Sequence, residues 1–176
     1  MLRGFLFSVP EVQPWISKKV EPREPLCYHG EMISTSLKET EAIAKKFLDS
    51  LKQGGEATVV GLRGNLGSGK TTFVQCVAKI LGVHESVTSP TFVLVKTYPL
   101  NAKRYTLLIH IDAYRLERGE ELLKLGWNDL AKNPDNLILL EWPERVADIL
   151  PAKNYTEISF EFVNETMRSI GIESRI

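Results

Sequence analysis

Between residues 57 and 81 a short apolar run, ATVVGL, leads through Arg63 into GNLGSGKTT, and a stretch of helical periodicity follows. No other segment restricts the fold as severely. Three glycines in six positions give the backbone access to positive φ, so that successive N–H groups can curl around an anion. The helix that follows aims its positive end at the same point. Gly64-x-x-x-x-Gly69-Lys70-Thr71 is the Walker A pattern, set between strand and helix as its mechanism requires. The loop Gly64, Asn65, Leu66, Gly67, Ser68, Gly69, Lys70, Thr71 and Thr72 is therefore expected to bind the phosphates of ATP. Lys70 is expected on the β- and γ-phosphates and the Thr71 hydroxyl on Mg²⁺.

The rest of the chain supplies the layers such a loop needs. With 176 residues, one domain is expected. Ser36-x-x-Glu39 has the form of a capping box and opens a helix to about Gln53, stopped by Gly54-Gly55. FVLVKTYPL (92–100) and YTLLIHID (105–112) are β-rich runs divided by NAKR and read as an antiparallel hairpin. EELLKLGWNDL reads as one short amphipathic helix. NLILLEW (136–142) is a continuous apolar run of the kind buried on both faces of a parallel sheet. YTEISFEFV and ETMRSIGIE alternate like two paired strands. The expected class is α/β, a three-layer P-loop NTPase fold with a mixed central sheet flanked by helices.

Residues 1–31 differ in character, with four prolines in VPEVQPW and VEPREP and little periodicity. They are read as an irregular arm, and 32–176 as the ATPase domain. Met32 stands where the regular pattern begins, and one reading makes it the true start of translation. GFLFSV is too short for a secretory core, and Glu11, Glu21 and Glu24 argue against an organellar transit peptide. No run nears the ~20 apolar residues that span a bilayer, so a cytoplasmic location without membrane association is expected. The 22 basic and 22 acidic residues balance, which excludes a global attraction to nucleic acid or anionic lipid. Cys27 and Cys76 lack metal-site spacing and read as reduced thiols.

Two acids close long apolar runs: Asp112 ends YTLLIHID and Glu141 ends NLILLEW. Ligands of α/β sheets gather beyond the carboxyl ends of the strands, so both carboxylates are expected at the phosphates. One would serve Mg²⁺ and the other the attacking water; spacing does not say which. Thr88 and Thr91 in VTSPTF are candidates for sensing the γ-phosphate. His110 and Trp142 read as structural, and Arg115 as a surface residue or a phosphate ligand.

Taken in order, GNLGSGKTT, TSPTF, HIDAYRL, the EEL…LGW segment and LLEW resemble the TsaE (YjeE) family over roughly residues 34–163. These are bacterial P-loop ATPases of tRNA threonylcarbamoyladenosine formation. The resemblance implies weak intrinsic ATPase activity and association with the TsaD and TsaB proteins, tRNA being met only through that complex. Position by position it implies phosphate binding by the loop around Lys70, Mg²⁺ at Thr71 and Glu141, an essential acid at Asp112, and a switch segment containing Thr91. Asn65 and Ser68 stand where the family usually has Asp and Ala. Ser36 is a candidate for contact with the base. The competing reading is a small-molecule P-loop kinase with Asp112 as base. A GTPase is disfavoured, because KNPD (132–135) does not have the order of a guanine reader.

Overall fold

The structure, a computed structural model, describes residues 27–90, 92–101 and 104–175. Among these residues seven strands form one mixed sheet: β1 (Cys27–Ser34), β2 (Thr58–Gly64), β3 (Val95–Pro99), β4 (Leu107–Asp112), β5 (Asn136–Glu141), β6 (Tyr155–Phe162) and β7 (Arg168–Arg175). Their order is β1-β7-β6-β2-β5-β4-β3. β6, β2, β5 and β4 run parallel, and β3 closes one edge antiparallel to β4. At the other side β7 pairs antiparallel with β6, and β1 antiparallel with β7.

The apolar run NLILLE forms β5, an interior strand between β2 and β4, with all six residues buried. Side chains alternate across a strand, so each face of the sheet builds its own core. Leu108, Leu137 and Leu139 pack with α1 (Leu37–Ser50) and α2 (Lys70–Ile80). Ile109, Ile111, Ile138 and Leu140 pack on the opposite side with α3 (Gly119–Lys124), α4 (Trp127–Lys132) and the 3-10 turn Pro143–Val146. The three-layer α/β architecture read from the sequence is thus the observed one. Ser36 does cap α1, accepting from the Glu39 N–H at 3.3 Å, while Glu39 reaches back to the Thr35 N–H at 2.6 Å.

Several local expectations are corrected. Residues 27–31, read as the end of the irregular arm, form the first part of β1; a bulge between His29 and Met32 breaks the alternation that would have revealed the strand. Residues 1–26 of that arm lie outside the described residues, as does Thr91. Phe92, Val93 and Leu94 form a turn before β3, with Leu94 at φ 65°. The helix expected through EELLKLGWNDL is two short helices, because Gly126 turns the chain at φ 88° between them. The free thiol of Cys76 is buried in the α1/α2 core, and burial pushes its pKa up. Among the described residues no helix is long and apolar enough to cross a membrane.

Candidate functional site

The loop joining β2 to α2 is shaped by glycine at φ 148° (Gly64), 76° (Gly67) and 108° (Gly69). Gly64 is also held by space: a Cβ there would strike the carbonyl oxygen of Phe160 on β6 and lie 2.8 Å from the Ser68 Oγ. Gly69 precedes α2 and gives the helix no side-chain cap. The first N–H groups of α2 therefore face the cavity without an intrahelical partner, at the positive end of the helix dipole.

Lys70 is buried. Its Nζ donates to the carbonyl oxygens of Gly64 at 2.7 Å and Asn65 at 3.0 Å, and sits 4.3 Å from the centre of the Trp142 ring. Burial pulls the ammonium below its ordinary pKa, against the opposing pull of Glu141, Glu144 and Asp112. The loop's own carbonyls and an aromatic face hold the cation beside the place where an anion would sit.

Strand alternation places the acids. Asp112 follows Leu108 on the α2 face of β4, two pairs along, and Glu141 follows Leu137 and Leu139 on the same face of β5. The parallel register then pairs Asp112 with Glu141 directly. Thr71 at the start of α2 donates its hydroxyl proton to Glu141 Oε1 at 2.8 Å. The same oxygen lies 2.8 Å from Nε2 of the buried His110. Asp112 accepts from the Ser89 hydroxyl at 2.9 Å and from the Tyr114 N–H at 3.0 Å.

A cavity of about 560 Å³ opens over these groups. Its floor is Leu66 to Thr72, with Asp112 and Glu141 behind; Trp142 and Tyr114 form one wall, their ring centroids 5.1 Å apart. Ser36, Leu37 and Thr40 at the start of α1 form another, and Thr166 and Arg168 of the β6–β7 hairpin close the far end. Gly64 and Asn65 lie outside the lining and act through their carbonyls on Lys70.

The structure thus brings the loop, Asp112, Glu141 and Ser36 together. Thr88 lies elsewhere, exposed and accepting from Lys96 at 2.6 Å. Arg115 stacks on Phe92 at 4.6 Å and Arg63 pairs with Glu157 at 3.3 Å, so each cation has a partner of its own. Trp142 and His110, both read as structural from the sequence, stand at the site: Trp142 lines the cavity and His110 lies against Glu141. Trp142 is turned toward Lys70 by its backbone at φ 60°, a conformation that periodicity does not encode. Being adjacent to a strand-end acid was the one available sign.

The donor set also bears on a metal ion. Among the described residues no three His, Cys, Asp or Glu side chains form a cage. Mg²⁺ is ordinarily held by one or two carboxylates together with substrate phosphates. A hydroxyl and a carboxylate at a helix N-terminus fit that requirement.

A parallel sheet core, a glycine loop at the head of α2, a lysine within it and strand-end acids facing it define a P-loop nucleotide-binding protein. Residues 34–170 match the family model for the threonylcarbamoyl adenosine biosynthesis protein TsaE, and the chain belongs to the TsaE family. It is 38% identical over 117 residues to the tRNA threonylcarbamoyladenosine biosynthesis protein TsaE of Treponema pallidum, an alignment covering 66% of this chain and 82% of that one. To the protein of the same name from Aquifex aeolicus it is 39% identical over 120 residues, covering 63% and 86%. The crystal structure of Bacillus subtilis YdiB superimposes with a TM-score of 0.68 at 25% identity, covering 86% of this chain and 88% of that one.

Proposed function

We propose that this protein binds ATP with Mg²⁺ in the loop cavity and hydrolyses it slowly alone and faster with TsaD and TsaB. That activity would serve the formation of N6-threonylcarbamoyladenosine in cytoplasmic tRNA. The observation that carries the reading is the bond from Thr71 to Glu141 at the head of α2, beside Asp112. Because the Thr71 proton is taken by a carboxylate, the oxygen keeps its lone pairs for a cation. Thr71 and Glu141 would hold Mg²⁺, which neutralises charge developing on the phosphates. The N–H groups of the loop and Lys70 bind the phosphate oxygens. Asp112, which accepts from Ser89 and the Tyr114 N–H, would align the attacking water. Trp142 and Tyr114 give the cavity an aromatic wall, and Ser36 stands in the opposite one.

Turnover by P-loop proteins also draws on a positive charge at the transition state, worth ~10³ or more. Among the described residues Arg168 is the arginine in the cavity wall, and its guanidinium donates to the carbonyls of Asn164 at 2.6 Å and Met167 at 2.9 Å. The missing charge is therefore assigned to a partner. Leu66, in the cavity lining and 83% exposed, offers an apolar side chain suited to that contact. ATP turnover measured alone, with TsaB and TsaD, and with small-molecule hydroxyl acceptors tests the reading. Marked stimulation by the protein pair is expected. Stoichiometric phosphorylation of an acceptor, without response to the proteins, would replace it by the kinase.

A further inference from the structure

Resting on the Mg²⁺ reading above, the geometry points to His110 as a positioning residue. Its Nε2–H fixes the Glu141 carboxylate so that the Thr71 hydroxyl donates inward and turns its lone pairs toward the metal.

His110 is wholly buried on β4, in line with Leu108 on the face that packs against α2. Nδ1 is buried with no hydrogen-bond partner among the described residues. An unpartnered buried ring nitrogen is a cost to folding, and leucine, as at neighbouring Leu108 and Leu139, would avoid it. What the imidazole supplies and leucine cannot is the 2.8 Å contact to Glu141 Oε1. A carboxylate oxygen accepts, so the nitrogen that faces it, Nε2, carries a proton and donates.

Glu141 Oε1 thus receives two donors, from Thr71 on α2 and His110 on β4. With one donor, the carboxylate could swing about its side-chain torsions and follow the threonine rotor. With a second from the rigid sheet, its orientation is fixed, and the threonine must adapt to it. This is how groups behind a metal site tune it, and losing one typically costs about tenfold to a hundredfold in metal affinity.

The test uses the full chain, a fluorescent ADP analogue and Mg²⁺ titrations, with melting curves as the check of folding. In His110→Phe, which keeps a buried ring and removes the donor, the Mg²⁺ concentration for half-maximal enhancement of nucleotide binding should rise about tenfold or more. Affinity in EDTA should stay at the wild-type value. His110→Gln, whose amide nitrogen reaches about as far as Nε2, should restore most of the Mg²⁺ response. If His110→Phe does not fold, His110→Asn takes its place, since its shorter amide cannot reach Glu141. A wild-type Mg²⁺ midpoint in the folded donor-free variant overturns the assignment. So does His110→Gln as impaired as that variant, because the ring would then matter for packing alone. A wild-type protein whose nucleotide binding ignores Mg²⁺ overturns the Mg²⁺ reading and this proposal together; a Mg²⁺-responsive wild type with indifferent variants overturns the proposal only.

Discussion

Ser68→Ala should stabilise the protein without weakening nucleotide binding. Ser68 lies in the phosphate loop, 1% exposed, and its Oγ is buried with no hydrogen-bond partner among the described residues. Leaving a buried hydroxyl unsatisfied costs about 1–3 kcal/mol, and the low end is taken for a group as small as a serine hydroxyl. Alanine removes that cost and leaves a void smaller than a methyl group, so a net gain of about 1 kcal/mol is expected. For a chain of this size, that gain corresponds to a melting temperature about 2–4 °C higher. Any contact of residue 68 with phosphate is expected through its backbone, which alanine preserves. Calorimetric melting with and without ADP, together with a nucleotide titration, reads both effects. A lower melting temperature would show that the hydroxyl has a stabilising partner. A clear loss of affinity would show that it donates to the ligand, and either result refutes the reasoning.

Lys70→Met should cut nucleotide affinity at least ~10-fold, since charge-assisted bonds to phosphate are lost that no backbone amide replaces. Burial depresses the Lys70 pKa from 10.5, so holding its charge costs the folded state at neutral pH, and that cost fades as pH rises through the depressed value toward 10.5. Melting curves should therefore show the wild type gaining on Lys70→Met as pH is raised; a constant gap would contradict the sign. Gly64→Ala, forced against the Phe160 carbonyl at positive φ, should lose about 2 kcal/mol or more, measured by urea unfolding. A chain beginning at Met32 should melt below one beginning at Cys27, because residues 27–29 pair with β7. Equal melting temperatures would deny the strand any stabilising role.

What could be read from the chain followed from local chemistry. The glycine spacing and Lys70 announce an anion loop whatever lies around them, and a run as apolar as NLILLE needs cover on both faces. Asp112 and Glu141 were legible because a charged residue ending such a run has nowhere to go but the strand terminus. The bond between His110 and Glu141 was not, since it depends on β4 lying beside β5 in one register, a fact spread over 31 positions of chain. Phe92 and Val93 misled for the opposite reason: apolar and β-prone, they read as strand yet stand exposed in a turn. β1 is hard to read from the chain because Gly30 and a bulge interrupt its pattern between His29 and Met32.

The ammonium of Lys70 is already seated on the carbonyls of Gly64 and Asn65. The loop therefore completes a ring of its own bonds when the chain folds, and the entropy of ordering it is spent then rather than at encounter. Arrival of a nucleotide becomes an exchange of partners at a finished surface, with no segment to be built. Entry is then limited by diffusion and orientation, and differences in affinity among nucleotides fall on how fast each one leaves. A loop ordered only by its ligand would behave in the opposite way, admitting every nucleotide slowly and sorting them at the door.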